Sequence, residues 1–153
     1  MIRVAGALEE RIKADTVAAL KAGDKQRTQA LRLLTAALKK ERIDAGKTPD
    51  EAGEIAVLKR ERKRRAEAAQ LYEEAGRDEL AAGERYEEKL IVGYLPAELG
   101  DDEVAAIVDE TIAEVGAATL SDMGKVMGAA MKKVAGRADG ALVNRLVRSR
   151  LGG

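Results

Sequence analysis

Apolar residues along the chain recur at intervals of three and four rather than two, and runs of β-branched residues are short. That spacing places them on one side of a 3.6-residue helix and predicts an all-α protein. Glycines and two prolines divide the pattern, because helices tend to stop at a glycine just past their end and do not run through proline. The first helix is expected over about Ala7–Ala22, with Leu8, Ile12 and Leu20. The second spans about Lys25–Ala45 behind Asp24 as N-cap, with Leu31, Leu34, Ala37 and Leu38 on one stripe. Thr48-Pro49-Asp50-Glu51 reads as a capping box with Thr48 as N-cap and Pro49 at the first helical position. The third helix then runs to about Ala75, and the fourth from Asp78 to Tyr94, before Pro96.

Three shorter helices are expected beyond Pro96: about Asp102–Val115, Asp122–Val134 and Gly140–Leu151, the last two capped by Ser121 and Asp139. Met123, Val126, Met127, Ala130, Met131 and Val134 form a clean stripe, read as core rather than as a peptide groove. Gly124 and Gly128, four apart on the same helix, suggest a close helix crossing. Composition and charge both change at Pro96–Gly100, so the chain divides into a four-helix domain over 1–95 and a smaller three-helix domain over 96–153.

Composition removes whole classes of chemistry. The 153 residues include no Cys and no His, hence no thiol nucleophile, no imidazole base and none of the soft ligands of structural zinc sites. There is no Walker-type phosphate loop, and Gly136-Arg137-Ala138-Asp139-Gly140 is a capped turn without that loop's spacing. Neither Glu87 and Glu88 nor Asp101, Asp102 and Glu103 form a convincing acid–base or cation site, since consecutive helical acids point apart and acids at a helix start answer its dipole. No catalytic residue, metal or cofactor is expected. No stretch approaches the roughly 18 continuous apolar residues of a membrane span, and Glu9, Glu10 and Asp15 occupy what a signal peptide would leave uncharged. A soluble cytoplasmic protein without membrane attachment is expected.

The chain is neutral overall, 27 bases against 27 acids, but its charge is unevenly placed. Residues 96–122 hold eight acids and no base, whereas residues 123–153 hold seven bases and one acid, Asp139. Lys59, Arg60, Arg62, Lys63, Arg64 and Arg65 put six bases into seven residues of the third helix. Arg62 and Arg65 fall on its core side, where acids between Glu73 and Glu88 would neutralise them in an antiparallel helix pair. Neutralisation within the chain and phosphate binding are equally open for this patch. The C-terminal bases Lys125, Lys132, Lys133, Arg137, Arg145, Arg148 and Arg150 lie off the apolar stripes and should face solvent. They suit phosphates of a folded RNA, or an ordinary solvated face balancing the acidic helix before them. Tyr72, Tyr86 and Tyr94, the only aromatics, lie elsewhere, which disfavours a base-stacking platform.

Leu120-Ser121-Asp122-Met123-Gly124-Lys125-Val126-Met127-Gly128, followed by Gly136-Arg137-Ala138-Asp139-Gly140 and Leu142-Val143-Asn144-Arg145-Leu146-Val147, resembles the C-terminal signature of the GatB/YqeY family. Leu31-Arg32-Leu33-Leu34-Thr35-Ala36-Ala37-Leu38-Lys39, Arg77-Asp78-Glu79-Leu80 and Tyr94-Leu95-Pro96 resemble its N-terminal half, so the likeness spans nearly the whole chain. It implies a stand-alone YqeY-like protein, similar to the tail of the B subunit of glutamine-dependent aspartyl/glutamyl-tRNA amidotransferase, which helps hold the tRNA. By that resemblance the RNA-facing surface would contain Lys125, Lys132, Lys133, Arg137 and Arg145, with Gly124, Gly128 and Gly140 among the motif glycines and Gly136 opening the turn. The amidotransferase's activation and glutaminase chemistry lies in other regions and subunits, so the family label of a carbon–nitrogen ligase using glutamine as amido donor would be inherited by name. The expected function is a non-catalytic tRNA-binding or adaptor module, with tRNA, amidotransferase or tRNA-synthetase-type proteins as partners. The alternative is a protein–protein interaction module that binds no RNA.

Overall fold

The computed structural model describes residues 5–152, and within them the only regular structure is helical. The outermost positions of the two expected domains, residues 1–4 and 153, lie outside the described residues. Seven α-helices run in order: α1 Ala7–Lys21, α2 Lys25–Ala45, α3 Glu51–Glu74, α4 Asp78–Val92, α5 Asp101–Val115, α6 Met123–Val134 and α7 Gly140–Gly152. A short 3-10 turn, Leu120–Asp122, leads into α6. The helices gather into two compact units, Met1–Leu95 and Pro96–Gly153. No helix among the described residues is long and apolar enough to cross a membrane.

Two expected caps are replaced by neighbours. Asp50, not Thr48, caps α3, accepting from the Gly53 amide at 2.8 Å. Residue 53 sits tightly behind the proline: a Cβ there would lie 2.9 Å from Pro49 Cβ and 3.2 Å from Asp50 Oδ1. Pro49 thus stands before the helix and buttresses its first turn. Ser121 does not cap α6. Thr119 and Asp122 form a capping box around the 3-10 turn, with Asp122 Oδ2 accepting from the amides of Ala118 at 3.0 Å and Thr119 at 3.2 Å. Those two amides hold the Asp122 carboxyl below the usual range. Asp24 and Asp139 do cap as expected, accepting from Arg27 and Ala141 amides, each at 3.0 Å.

In the first unit, Ile12, Leu31, Leu34, Leu38, Ile55, Leu58 and Ile91 form a closed apolar centre. Each fully buried side chain of this size contributes about 1.5–3 kcal/mol. Leu20, on the expected α1 stripe, is exposed, and Ala19 takes the buried position. α3 has apolar burial mainly in its first two turns, and beyond them it is tied to α4 by charge. Arg65 pairs with Glu61 of its own helix and with Glu87 at 3.1 Å, while Arg85 reaches Glu73 at 3.0 Å. Pairings 65 with 87 and 73 with 85 fix α3 and α4 as antiparallel.

The second unit has a small-residue centre of Val104 and Val108 from α5, Val126, Ala130 and Val134 from α6, and Val143, Val147 and Leu151 from α7. Met123, Met127 and Met131 pack against that centre, half-buried.

Candidate functional site

The C-terminal bases separate by their surroundings into two groups. Lys133, on the α6 side turned to α5, reaches Glu114 at 2.6 Å and Glu110 at 3.4 Å. The hydrogen bond to Glu114 raises the Lys133 pKa and lowers that of Glu114, so both stay charged across the neutral range. Arg150 of α7 donates to Asp109 at 2.8 Å. Arg137 turns back onto the end of α6, its Nε donating to the Val134 carbonyl at 3.1 Å and its Nη2 to the Lys133 carbonyl at 3.2 Å. It therefore satisfies carbonyls that the helix leaves open and places a cation at the negative end of the dipole. Its own carbonyl accepts from Leu99 at 2.7 Å. Arg150 faces solvent as expected while Lys133 and Arg137 are half-buried; α5 carries the acids that Lys133 and Arg150 meet, whereas Arg137 is held by α6 carbonyls. Arg137→Ala is expected to lower the stability of this unit by about 1 kcal/mol, the usual net worth of such bonds, measured by urea unfolding followed by circular dichroism.

Lys132, Arg145 and Arg148 are exposed and have no carboxylate partner among the described residues. Lys125 is also exposed, and its charge helps hold the Asp122 carboxyl ionised. Lys125 and Lys132, seven residues apart, share one side of α6, and Arg145 and Arg148 are neighbours on α7. Gly124 and Gly128 lie on the exposed side of α6, and a Cβ at either would meet nothing within 4 Å. The expected close helix crossing at these glycines is absent: α6 packs through Val126, Ala130 and Val134 instead. Gly136 takes a left-handed backbone at φ 78° directly after Ala135 at φ 49°, which swings the chain round to seat Arg137. Gly140 opens α7, and a Cβ there would make ordinary contact with Met131 at 3.6 Å.

The second basic patch is largely neutralised. Arg60 reaches Glu41 at 3.1 Å, Arg64 reaches Glu61 at 3.6 Å, Lys63 reaches Glu67 at 4.0 Å, and Arg65 is bound as described. Lys59 and Arg62 are half-buried on the same helix. The acids considered for catalysis are likewise engaged: Glu87 by Arg65 and Glu88 by Arg85, while Asp101, Asp102 and Glu103 form the first turn of α5.

Two constellations in the first unit went unread in the sequence. Glu54 of α3 is 1% exposed and caps α1 across the fold, accepting from the Glu9 amide at 2.9 Å and the Leu8 amide at 3.3 Å. Burial pushes its pKa up, against the pull of those two amides. Its place one turn before Leu58, on the stripe with Ile55, was the available signal. The second surrounds Tyr94, whose hydroxyl donates to the Asp15 carboxylate and whose ring carries the Arg11 guanidinium 4.8 Å from its centroid. Burial, helped by Asp15, raises the Tyr94 pKa to about 12, so the phenol keeps its proton.

No protein of curated function matches the chain significantly. The model of the Yqey-like protein family matches residues 9–151, which takes in all seven helices but for a residue or two at either end. The chain belongs to the YqeY-like family.

Proposed function

We propose that the protein is a non-catalytic RNA-binding module whose C-terminal unit grips the phosphates of a folded RNA, tRNA being the first to test. The observation that carries this reading is the division among the C-terminal cations. α5 neutralises Lys133 and Arg150, yet Lys132, Arg145 and Arg148 remain exposed and uncompensated, beside an α6 surface that two glycines keep bare. Long flexible cations without partners suit phosphate oxygens, and bare helical backbone lets a bulky polyanion approach closely. Without aromatics in this unit, contact would run through phosphates and shape rather than stacked bases. The family resemblance to the amidotransferase tail points the same way, and an adaptor role between tRNA and an amidotransferase or synthetase-type protein is compatible with it.

The test is tRNA binding at two salt concentrations. Three phosphate contacts give a slope of about −2 to −3 in log affinity against log salt, so the affinity of the wild type should fall about 30-fold between about 0.05 and 0.2 M salt. Lys132→Glu/Arg145→Glu/Arg148→Glu is expected to abolish binding, and Arg62→Glu/Arg64→Glu to leave it close to wild type. Absence of saturable binding at low salt refutes the proposal and leaves the protein-partner alternative in its place.

A further inference from the structure

We propose that the first unit contains a separate binding site for a phosphate monoester on a small ring-bearing body, of about mononucleotide size. The site is an open cleft of about 430 Å³ lined by Arg11, Asp15, Arg27, Tyr86, Lys89 and Tyr94, with Leu90 and Gly93 completing its wall. That volume lies in the usual range of small-ligand sites. Three helices each send one cation to it: Arg11 from α1, Arg27 from α2 and Lys89 from α4.

None of these three cations has a carboxylate ion-pair partner among the described residues, although they converge on one cleft. The single acid in the cleft, Asp15, is occupied by the Tyr94 hydroxyl. The lining therefore carries three positive charges against one negative. Like charges brought together without counter-ions repel, and an anion with several acceptor oxygens relieves all three at once.

Phosphate fits the donor set better than a single carboxylate. Two guanidinium forks and one ammonium offer more donors than two carboxylate oxygens can accept, whereas a dianionic phosphate has three terminal oxygens to share. Arg11 is already oriented by its stacking on Tyr94, which reduces the freedom lost on binding. Tyr86, Leu90 and the exposed Gly93 give an apolar wall for a flat ring, and Asp15 retains a second oxygen to accept from a ligand hydroxyl or amine. This inference rests on the 1–95 unit alone and is independent of RNA binding by the other unit.

Calorimetric titration of the full chain with inorganic phosphate, adenosine monophosphate, adenosine and citrate tests it, alongside an RNA oligonucleotide with and without a 5′-phosphate. Adenosine monophosphate is expected to bind at least about tenfold more tightly than adenosine or citrate, and Lys89→Ala and Arg27→Ala each to weaken it about tenfold, as losing one charge-assisted hydrogen bond does. Lys89 is exposed, so its variant keeps the fold, and unchanged circular dichroism verifies this. A 5′-phosphate that tightens oligonucleotide binding by more than it tightens the mononucleotide over adenosine, with the gain lost in Arg27→Ala/Lys89→Ala, assigns the site to an RNA end. The reverse order assigns it to a free nucleotide. No heat with either phosphate ester at millimolar concentration overturns the proposal, as does binding that survives the Arg27→Ala/Lys89→Ala double variant or citrate binding as tight as the nucleotide.

Discussion

Glu54→Ala is expected to destabilise the 1–95 unit by about 3 kcal/mol, a large share of the 5–15 kcal/mol that holds a small domain together. Gly6 stands at the N-cap of α1 and offers no capping side chain, so the helix's first free amides depend on Glu54 from another helix. Removing the carboxylate leaves the amides of Leu8 and Glu9 without acceptors in a buried place, at about 1–3 kcal/mol for an unsatisfied group. It also opens a hole beside Ile55 and Leu58. At about 4–8 °C per kcal/mol for a domain of this size, the melting point should drop by more than about 10 °C. All three tyrosines, Tyr72, Tyr86 and Tyr94, lie in the 1–95 unit, so tyrosine emission during urea unfolding reads this unit directly. A loss below about 0.5 kcal/mol, typical of a surface change, would show that the cap is not needed.

Glu54 also gives the unit a pH signature. Its pKa is raised above the ordinary 4.5, mainly by burial, so the folded state holds this proton more tightly than the unfolded chain does. The resulting contribution to stability is complete below the unfolded value and is lost as pH rises through the folded one. Glu54→Gln, which cannot titrate, should therefore gain on the wild type as pH rises from about 4 toward neutrality. A constant difference between the two across that window would place the titration elsewhere.

Helix positions were legible in the sequence because they follow from local spacing and glycine punctuation, which involve residues at most a few apart. Tyr72 through Asp78 shows this well, since Gly76 and Asp78 alone mark the turn between α3 and α4. Errors arose where a neighbour one or two positions away competed for the same role. Asp50 displaced Thr48 because Pro49 packs against Gly53, and Thr119 displaced Ser121 because Asp122 lies three residues after it. Charge pairing was legible between α3 and α4, where Arg65 meets Glu87 as its core-side place implied, but not in the second unit. That Lys133 and Arg150 face acids while Arg145 does not depends on how α6 and α7 turn about α5. The cleft cations are less legible still: Arg11, Arg27 and Lys89 belong to three helices, and only the packing of α1, α2 and α4 brings them together.

Gly124→Ala/Gly128→Ala is expected to stabilise the 96–153 unit by about 1–2 kcal/mol, an unusual sign for a double substitution. Glycine inside a helix costs about 0.5–1 kcal/mol relative to alanine, through the backbone entropy it loses on folding. Alanine normally recovers this only where its methyl has room, and here both new Cβ atoms would enter open space. This unit has no aromatic residue, so helical circular dichroism during urea unfolding is the appropriate measurement. The same variant bears on the proposed RNA contact, because these two bare positions lie beside Lys125 and Lys132. A packing role would make the methyls destabilising, which the empty surroundings contradict. A docking role would make them stabilising in the free protein and obstructive in the complex, since a polyanion gripped by Lys132 must then stand off from α6. Higher stability together with several-fold weaker tRNA binding would put the α6 backbone in the contact. Higher stability with unchanged binding would remove α6 from it and leave the grip to Arg145 and Arg148 of α7. Lower stability would mean that the face is covered by part of the protein itself, and the exposed-face basis of the RNA proposal would fall with it.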